Sequence, residues 1–192
     1  MTPRLLYHYQ TTIRPSLQQK FQYNRIEDIP NLKKISIQLT SREALTDKKQ
    51  IIPLKLIIEL LTGQKPIFIK AKKSIATFNL REGKVIGWKV TLRRDNMYHF
   101  LDKLVNTALP RIREIKPFSD SSIADLGLTH CGVFSFGIKD INCFPEIELQ
   151  FEVLQKVIRN YPIGFHINFT TTAKTAIETK ALLTGFQVPF KK

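Results

Sequence analysis

Two stretches of strict alternation constrain this chain more than any other feature in it. In Lys33–Leu39, the side chains of Ile35, Ile37 and Leu39 fall on one side and those of Lys34, Ser36 and Gln38 on the other. In Ile86–Arg93, Ile86, Trp88, Val90 and Leu92 alternate with Lys89, Thr91 and Arg93. A period of two belongs to a strand with one face buried and the other wet. Sheets with one wet face are characteristically antiparallel. Each segment therefore predicts a strand that buries its aliphatic side and leaves a polar side free.

Helical spacing accounts for much of the rest. Leu5–Phe21 reads as an N-terminal helix with Pro15 in its middle. Asp47–Leu61 carries Ile51, Leu54, Ile58 and Leu61 on one face, begins near Thr46 and stops at Gly63. Asp95 is placed to cap a helix through Phe100, Leu101, Leu104, Val105 and Ala108, closed by Pro110. Thr175–Leu183 predicts a last helix before Gly185. Ile67–Ile69 fits a short strand and Phe165, Ile167 and Phe169 another, while Pro117–Phe144 breaks into turns and short apolar pieces. The 192 residues suit one domain: α+β, with a mostly antiparallel sheet, helices on one face and the polar strand faces left open.

Charge says what such an open face would meet. Thirty Lys and Arg against sixteen Asp and Glu give +14. Residues 1–116 hold 23 basic and 9 acidic side chains, and residues 117–192 hold seven of each. The whole excess lies in the first part, as in a protein with one side turned to a polyanion. The densest run is Lys65–Arg94, with Lys65, Lys70, Lys72, Lys73, Arg81, Lys84, Lys89, Arg93 and Arg94 against the single acid Glu82. Clustered cations of this kind engage phosphates. Phe68 and Trp88 read as core residues of their strands. Phe78, in the polar segment Lys70–Gly83, is free to meet nucleobases.

Other chemistries find little support. Cys131 and Cys143 form no C-x-x-C pair, and with His130 they make a poor zinc site, so neither a metal nor another cofactor is expected. His8, His99, His130 and His166 are scattered without a nucleophile motif and read as structural, which argues against an enzyme. Gly63-Gln-Lys lacks the spacing of a phosphate-binding loop, and its lysine precedes Pro66. No apolar run reaches the ~20 residues of a membrane span, and Met1–Gln10 has no signal-peptide core.

Seven stretches resemble the bacterial-type L5 ribosomal protein family, in family order. They are Thr62-Gly-Gln-Lys-Pro66, Lys70-Ala-Lys-Lys-Ser-Ile-Ala-Thr-Phe78, Ile86-Gly-Trp-Lys-Val-Thr-Leu-Arg93, Ala108-Leu-Pro-Arg-Ile-Arg113, Phe144-Pro-Glu-Ile147, Thr170-Thr-Thr-Ala-Lys174 and Phe190-Lys-Lys192. The resemblance implies one α+β domain in the central protuberance of the large subunit, bound to 5S rRNA through the open sheet face. It places the RNA-contacting polar residues at Gln38, Gln64 and Thr91, and Lys65, Lys89 and Arg93 of the basic run join them. It implies that the loop carrying Lys70, Lys72, Lys73, Ser74, Phe78 and Arg81 reaches toward the peptidyl-site tRNA. Large-subunit rRNA, neighbouring protuberance proteins and a small-subunit head protein at an intersubunit bridge complete the implied partners.

The chain departs from the family where Leu39-Thr-Ser-Arg-Glu-Ala44 replaces a glycine-rich turn, with Arg42 available as a substitute contact, and where Gln38 replaces asparagine. Ser119–Asp140 and Asn160–Gly164 look lengthened, which bears on the bridge. With 23 isoleucines and 13 phenylalanines, both AT-rich in codon, the composition points to a mitochondrial ribosome, with a plastid or an AT-rich bacterium giving a similar signal. The rival reading is a non-ribosomal RNA-binding regulator. If ~5 phosphates are neutralised, log affinity for 5S rRNA against log salt should have a slope of roughly −3.5 to −4.5. Replacing Lys139 and Lys156, in the charge-balanced part, should leave that slope unchanged in a filter-binding titration.

Overall fold

The computed structural model describes residues 2–40, 51–78, 80–112, 118, 132–139, 141–150 and 164–190. The first helix, α1, runs through Arg4–His8, Tyr9–Ile13 and Arg14–Phe21. Strand β1 is Leu32–Thr40, helix α2 Ile51–Thr62, strand β2 Ile67–Lys70 and strand β3 Val85–Leu92. Helix α3 follows through Arg94–Lys103, Leu104–Ala108 and Leu109–Arg111. Then come β4 (Val133–Ile138), the short helix α4 (Pro145–Leu149), β5 (Phe165–Thr171) and α5 (Ala176–Gly185). The strands form one five-stranded antiparallel sheet in the order β2-β3-β1-β5-β4. The fold class is α+β, as the alternation predicted.

Two compact units share the chain: Met1–Ile35, Leu92–Phe136 and Asn168–Lys192 make one, Ser36–Thr91 and Gly137–Ile167 the other. In the first, α1 and α3 bury Tyr9, Ile13, Leu17, Met97, Tyr98, Phe100 and Leu101. Phe186 stacks on Tyr9 at 6.1 Å between ring centres, and Phe134 on Phe169 at 6.0 Å. The buried hydroxyls keep partners: Tyr9 donates to the Pro30 carbonyl (3.0 Å) and Tyr98 to Asn31 Oδ1 (3.2 Å). Burial pushes the Tyr98 hydroxyl up to about 12, so it remains a neutral donor. In the second unit Ile37, Leu39, Val90, Phe165 and Ile167 face Leu54, Ile57 and Ile58 of α2, all 1% exposed or less. Full burial of each such side chain stabilises by about 1.5–3 kcal/mol.

Prolines shape both long helices in the same way. Pro15 has no N–H, and its ring would press on the carbonyl of Thr11 in an ordinary α-turn. The turn before it widens, with Arg14 N–H reaching back five residues to the Tyr9 carbonyl, and the helix continues. Ahead of Pro110 the same widening joins Leu109 N–H to the Leu104 carbonyl. Pro110 therefore does not close α3, which ends at Arg111.

Two other sequence expectations are corrected. Asp95 is not a cap: β3 passes straight into α3 with Arg93 at the N-cap, and Asp95 lies inside the first turn. β4 emerges where only turns and short pieces were expected. Its alternation is weak because Gly137 and the half-buried Phe136 interrupt it, and its pairing with β5 supplies the order that local pattern lacks. The other ends follow the sequence. Gly63 takes φ +64° and returns its N–H to the Glu59 carbonyl at 2.8 Å. Thr175 and Glu178 form a reciprocal cap at the start of α5.

β3 and β1 approach closely at Gly87. A Cβ there would lie 2.2 Å from the Leu39 carbonyl oxygen and 2.9 Å from Thr40 Cα, both backbone atoms that cannot turn aside. At Gly137 a Cβ would meet the His166 ring at 3.4 Å and the Phe165 carbonyl oxygen at 3.9 Å, both ordinary contact distances. Gly87→Ala should therefore cost about 1–3 kcal/mol through overpacking. Gly137→Ala should stay within about 0.5 kcal/mol of the parent, with urea unfolding as the measurement.

Candidate nucleic-acid interface

The interface is built from the strand residues that the core leaves over. In the unit formed by Ser36–Thr91 and Gly137–Ile167, Ile37, Leu39, Trp88, Val90, Phe165 and Ile167 turn to the buried side. α2 lies on that side, held by the Trp88 indole N–H donating to the Ile51 carbonyl at 2.7 Å. By the period of two, Ser36, Gln38 and Thr40 of β1, Lys89 and Thr91 of β3 and His166 of β5 turn to the opposite face. Gln38, Lys89 and Thr91 are half-buried there, while Thr40 and His166 are exposed. β2 extends this face at its edge, with Ile67 paired to Lys89 and Ile69 to Gly87.

Gln64 and Lys65 are exposed in the turn between α2 and β2, where Thr62 Oγ1 accepts the Gln64 N–H at 3.3 Å. That bond uses the Gln64 backbone and leaves its amide group free. Gln38, Gln64, Lys65, Lys89 and Thr91 thus all belong to one unit. Arg93 is exposed just past β3, in the other unit. Arg42 lies outside the described residues, as do His130 and Cys131, most of Ser119–Asp140, and Asn160–Pro162 with Ile163.

The basic segment is more built than its polar sequence suggests. Ala71 is buried; its N–H donates to the Lys84 carbonyl at 2.9 Å and its own carbonyl accepts from Gly83 at 3.0 Å. Farther out, Ile75 and Leu80 exchange two backbone hydrogen bonds, at 2.9 and 3.1 Å. Ser74 Oγ accepts the Glu82 N–H at 2.9 Å, so this serine ties the loop together. Lys70, Lys72, Lys73, Phe78 and Arg81 all remain exposed. None of these four cations, nor Lys65 or Lys89, makes an ion pair among the described residues, whose pairs are Arg4–Asp102, Lys55–Glu59 and Lys174–Asp28. A framed loop of unpaired cations with an exposed ring can engage phosphates and stack on a base without first shedding an internal partner.

One aromatic expectation changes. Trp88 is buried as expected, but Phe68 is 53% exposed and stacks on it at 4.2 Å. β2 is an edge strand, and among the described residues the ring is left about half-exposed. His99 and His166 are exposed. His166 and Thr40 were missed as members of the open face, and Ser36, placed on it by the alternation, is buried. The signal was present, because the alternation of Phe165, Ile167 and Phe169 already turned His166 the other way.

The model of ribosomal protein L5 matches residues 26–81, and that of the ribosomal L5P family C-terminus matches residues 85–190. The chain belongs to the ribosomal protein L5 family. It is 44% identical over 189 residues to the large ribosomal subunit protein uL5m of Reclinomonas americana, covering 98% of each chain. It is likewise 44% identical over 188 residues to uL5 of Nitrosomonas europaea, again over 98% of each. The Ureaplasma urealyticum uL5 is 42% identical over 184 residues, 96% of this chain and 94% of that one. This L5-family chain is a structural constituent of the large ribosomal subunit, with rRNA as its partner, and not an enzyme.

Faces can be told apart by stability in this L5-family chain. Gln64→Ala and Thr91→Ala should change unfolding free energy by no more than about 0.5 kcal/mol, whereas Leu92→Ala, wholly buried, should cost roughly 2–5 kcal/mol. Equal losses for Thr91→Ala and Leu92→Ala in thermal melts would mean that the faces of β3 are assigned the wrong way round.

Proposed function

We propose that this L5-family protein binds 5S rRNA through the open sheet face, with Gln38, Gln64 and Thr91 reading ribose or base edges and Lys65, Lys89 and Arg93 meeting phosphates. The observation that carries this is the composition of the face: amide, hydroxyl and ammonium groups turned away from the buried side, half-buried at Gln38, Lys89 and Thr91 and exposed at Gln64 and Lys65. Small polar side chains on a flat sheet allow a helical RNA groove to approach the backbone, and the lysines neutralise the strand that lies across them. Arg42 belongs to the proposed contact set on its charge.

The loop from Lys70 to Arg81 serves the peptidyl-site tRNA in this proposal. Its hydrogen bonds are internal, apart from the junction at Ala71, so its cations are displayed and not used to hold the fold. The charge-neutral residues 117–192 are assigned to protein neighbours, among them other central-protuberance proteins and a small-subunit head protein at an intersubunit bridge. Its ribosome is proposed to be mitochondrial, on the isoleucine- and phenylalanine-rich composition and the likeness to a uL5m protein.

The combined change of Lys70, Lys72, Lys73 and Arg81 to Gln separates the two RNA roles while leaving the framing bonds of Ala71, Ser74 and Ile75 in place. The variant should still bind 5S rRNA and occupy large subunits fully, while peptidyl-site tRNA affinity on those particles falls roughly tenfold at physiological salt. Lost occupancy would assign the loop to anchoring on rRNA, and unchanged tRNA affinity at full occupancy would remove the tRNA role. Failure of the unmodified chain to retain 5S rRNA in a binding assay would overturn the sheet-face reading itself.

A further inference from the structure

Three residues other than glycine adopt a left-handed backbone among those described: Gln22, Arg94 and Gln187. Two have a local explanation. Gln22 follows α1 and returns its N–H to the Gln18 carbonyl at 2.9 Å, and Gln187 follows α5 and donates to the Thr184 carbonyl at 2.9 Å. Both terminate helices, where a left-handed residue satisfies carbonyls that would otherwise be left without donors. Arg94 does not. With φ +52°, it makes the bend between the end of β3 and the body of α3, a place where no helix C-terminus needs closing.

The bend itself needs no arginine. Glycine takes this conformation without penalty, and asparagine takes it more readily than a long side chain does. An arginine here is held against the preference of its own backbone, and nothing inside the described protein uses its side chain. Arg94 is exposed, as is Arg93 before it, and neither makes an ion pair or side-chain hydrogen bond among the described residues. Its neighbours in sequence show no apolar packing that the stem would complete: Arg93, Asp95 and Asn96 are all exposed.

We infer that Arg94 is a phosphate-binding residue for rRNA, kept at a strained corner because the corner fixes the direction of its side chain. The reading rests on the rRNA-binding role proposed for the open face, and it adds a residue that the sequence counted only as one charge among nine. A left-handed corner restricts the backbone beneath the guanidinium. The five N–H donors then meet a phosphate with less freedom to lose than they would from an ordinary turn.

The substitutions that test it relieve strain and charge separately, and 5S rRNA is the probe. Arg94→Gly and Arg94→Asn remove the charge and accept the left-handed backbone. They should raise the melting temperature by about 2 °C or leave it unchanged, yet lower the steepness of the log affinity–log salt plot by roughly 0.7–0.9, the value of one phosphate contact. Arg94→Lys keeps a charge on the same strained corner and should retain most of the slope. A gain in melting temperature together with weaker RNA binding has no structural explanation, since a merely structural Arg94 would move both the same way. The inference is overturned if Arg94→Gly binds 5S rRNA with the unmodified slope, or if it melts several degrees lower. If the unmodified chain itself fails to bind 5S rRNA, the underlying reading of the open face has failed, and that result is distinguishable from either outcome.

Discussion

At Gly87 the backbone of β3 lies against the backbone of β1 so closely that a single added carbon would stand 2.2 Å from the Leu39 carbonyl oxygen. That approach joins two strands that are far apart in sequence and neighbours in the sheet. In the sheet order, β3 stands between β2 and β1. With the two strands joined, Ile37 and Leu39 share a buried side with Trp88 and Val90. Their alternates Gln38, Lys89 and Thr91 then share a wet side. The site is thus a by-product of the core, since each residue buried against α2 turns its neighbour in the strand toward the open face.

Where charge sits relative to this face decides what the face can do. Lys65, Lys70, Lys72, Lys73 and Arg81 are exposed and make no ion pair among the described residues, so their positive potential is available to a ligand. The loop beyond β2 makes a complementary arrangement. Backbone hydrogen bonds at Ala71 and between Ile75 and Leu80, with the serine tie at Ser74, set its course. Its lysines are therefore presented from a frame. A less constrained loop of the same charge would lose more conformational freedom on meeting a phosphate backbone.

The long helices show how far local rules reach. Pro15 and Pro110 each remove one hydrogen bond and crowd one carbonyl, and in both cases the helix answers with a widened turn and goes on. Sequence alone marks the proline as an obstacle. Whether the obstacle ends the helix depends on whether the residues beyond it have a place in the core. Leu17 after Pro15 does, at 4% exposed. The residues after Pro110 extend the helix only to Arg111, and Ile112 is already extended.

Alternation in Lys33–Leu39 and Ile86–Arg93 determined by itself that this protein has a sheet with one polar face. The imbalance of charge pointed to a polyanionic partner, and the ordered motifs were enough to assign the family. Gly63 and the Thr175–Glu178 pair fixed two helix ends, because their conformations and hydrogen bonds are settled within a few residues. Tertiary structure alone decided that β4 is a strand, that Phe68 stays half-exposed on Trp88, and that Arg94 and not Asp95 makes the corner before α3. The physical reason is common to all three. Each depends on what lies beside the residue from a distant part of the chain, on whether an edge is covered or a turn has room, and local periodicity contains no term for either.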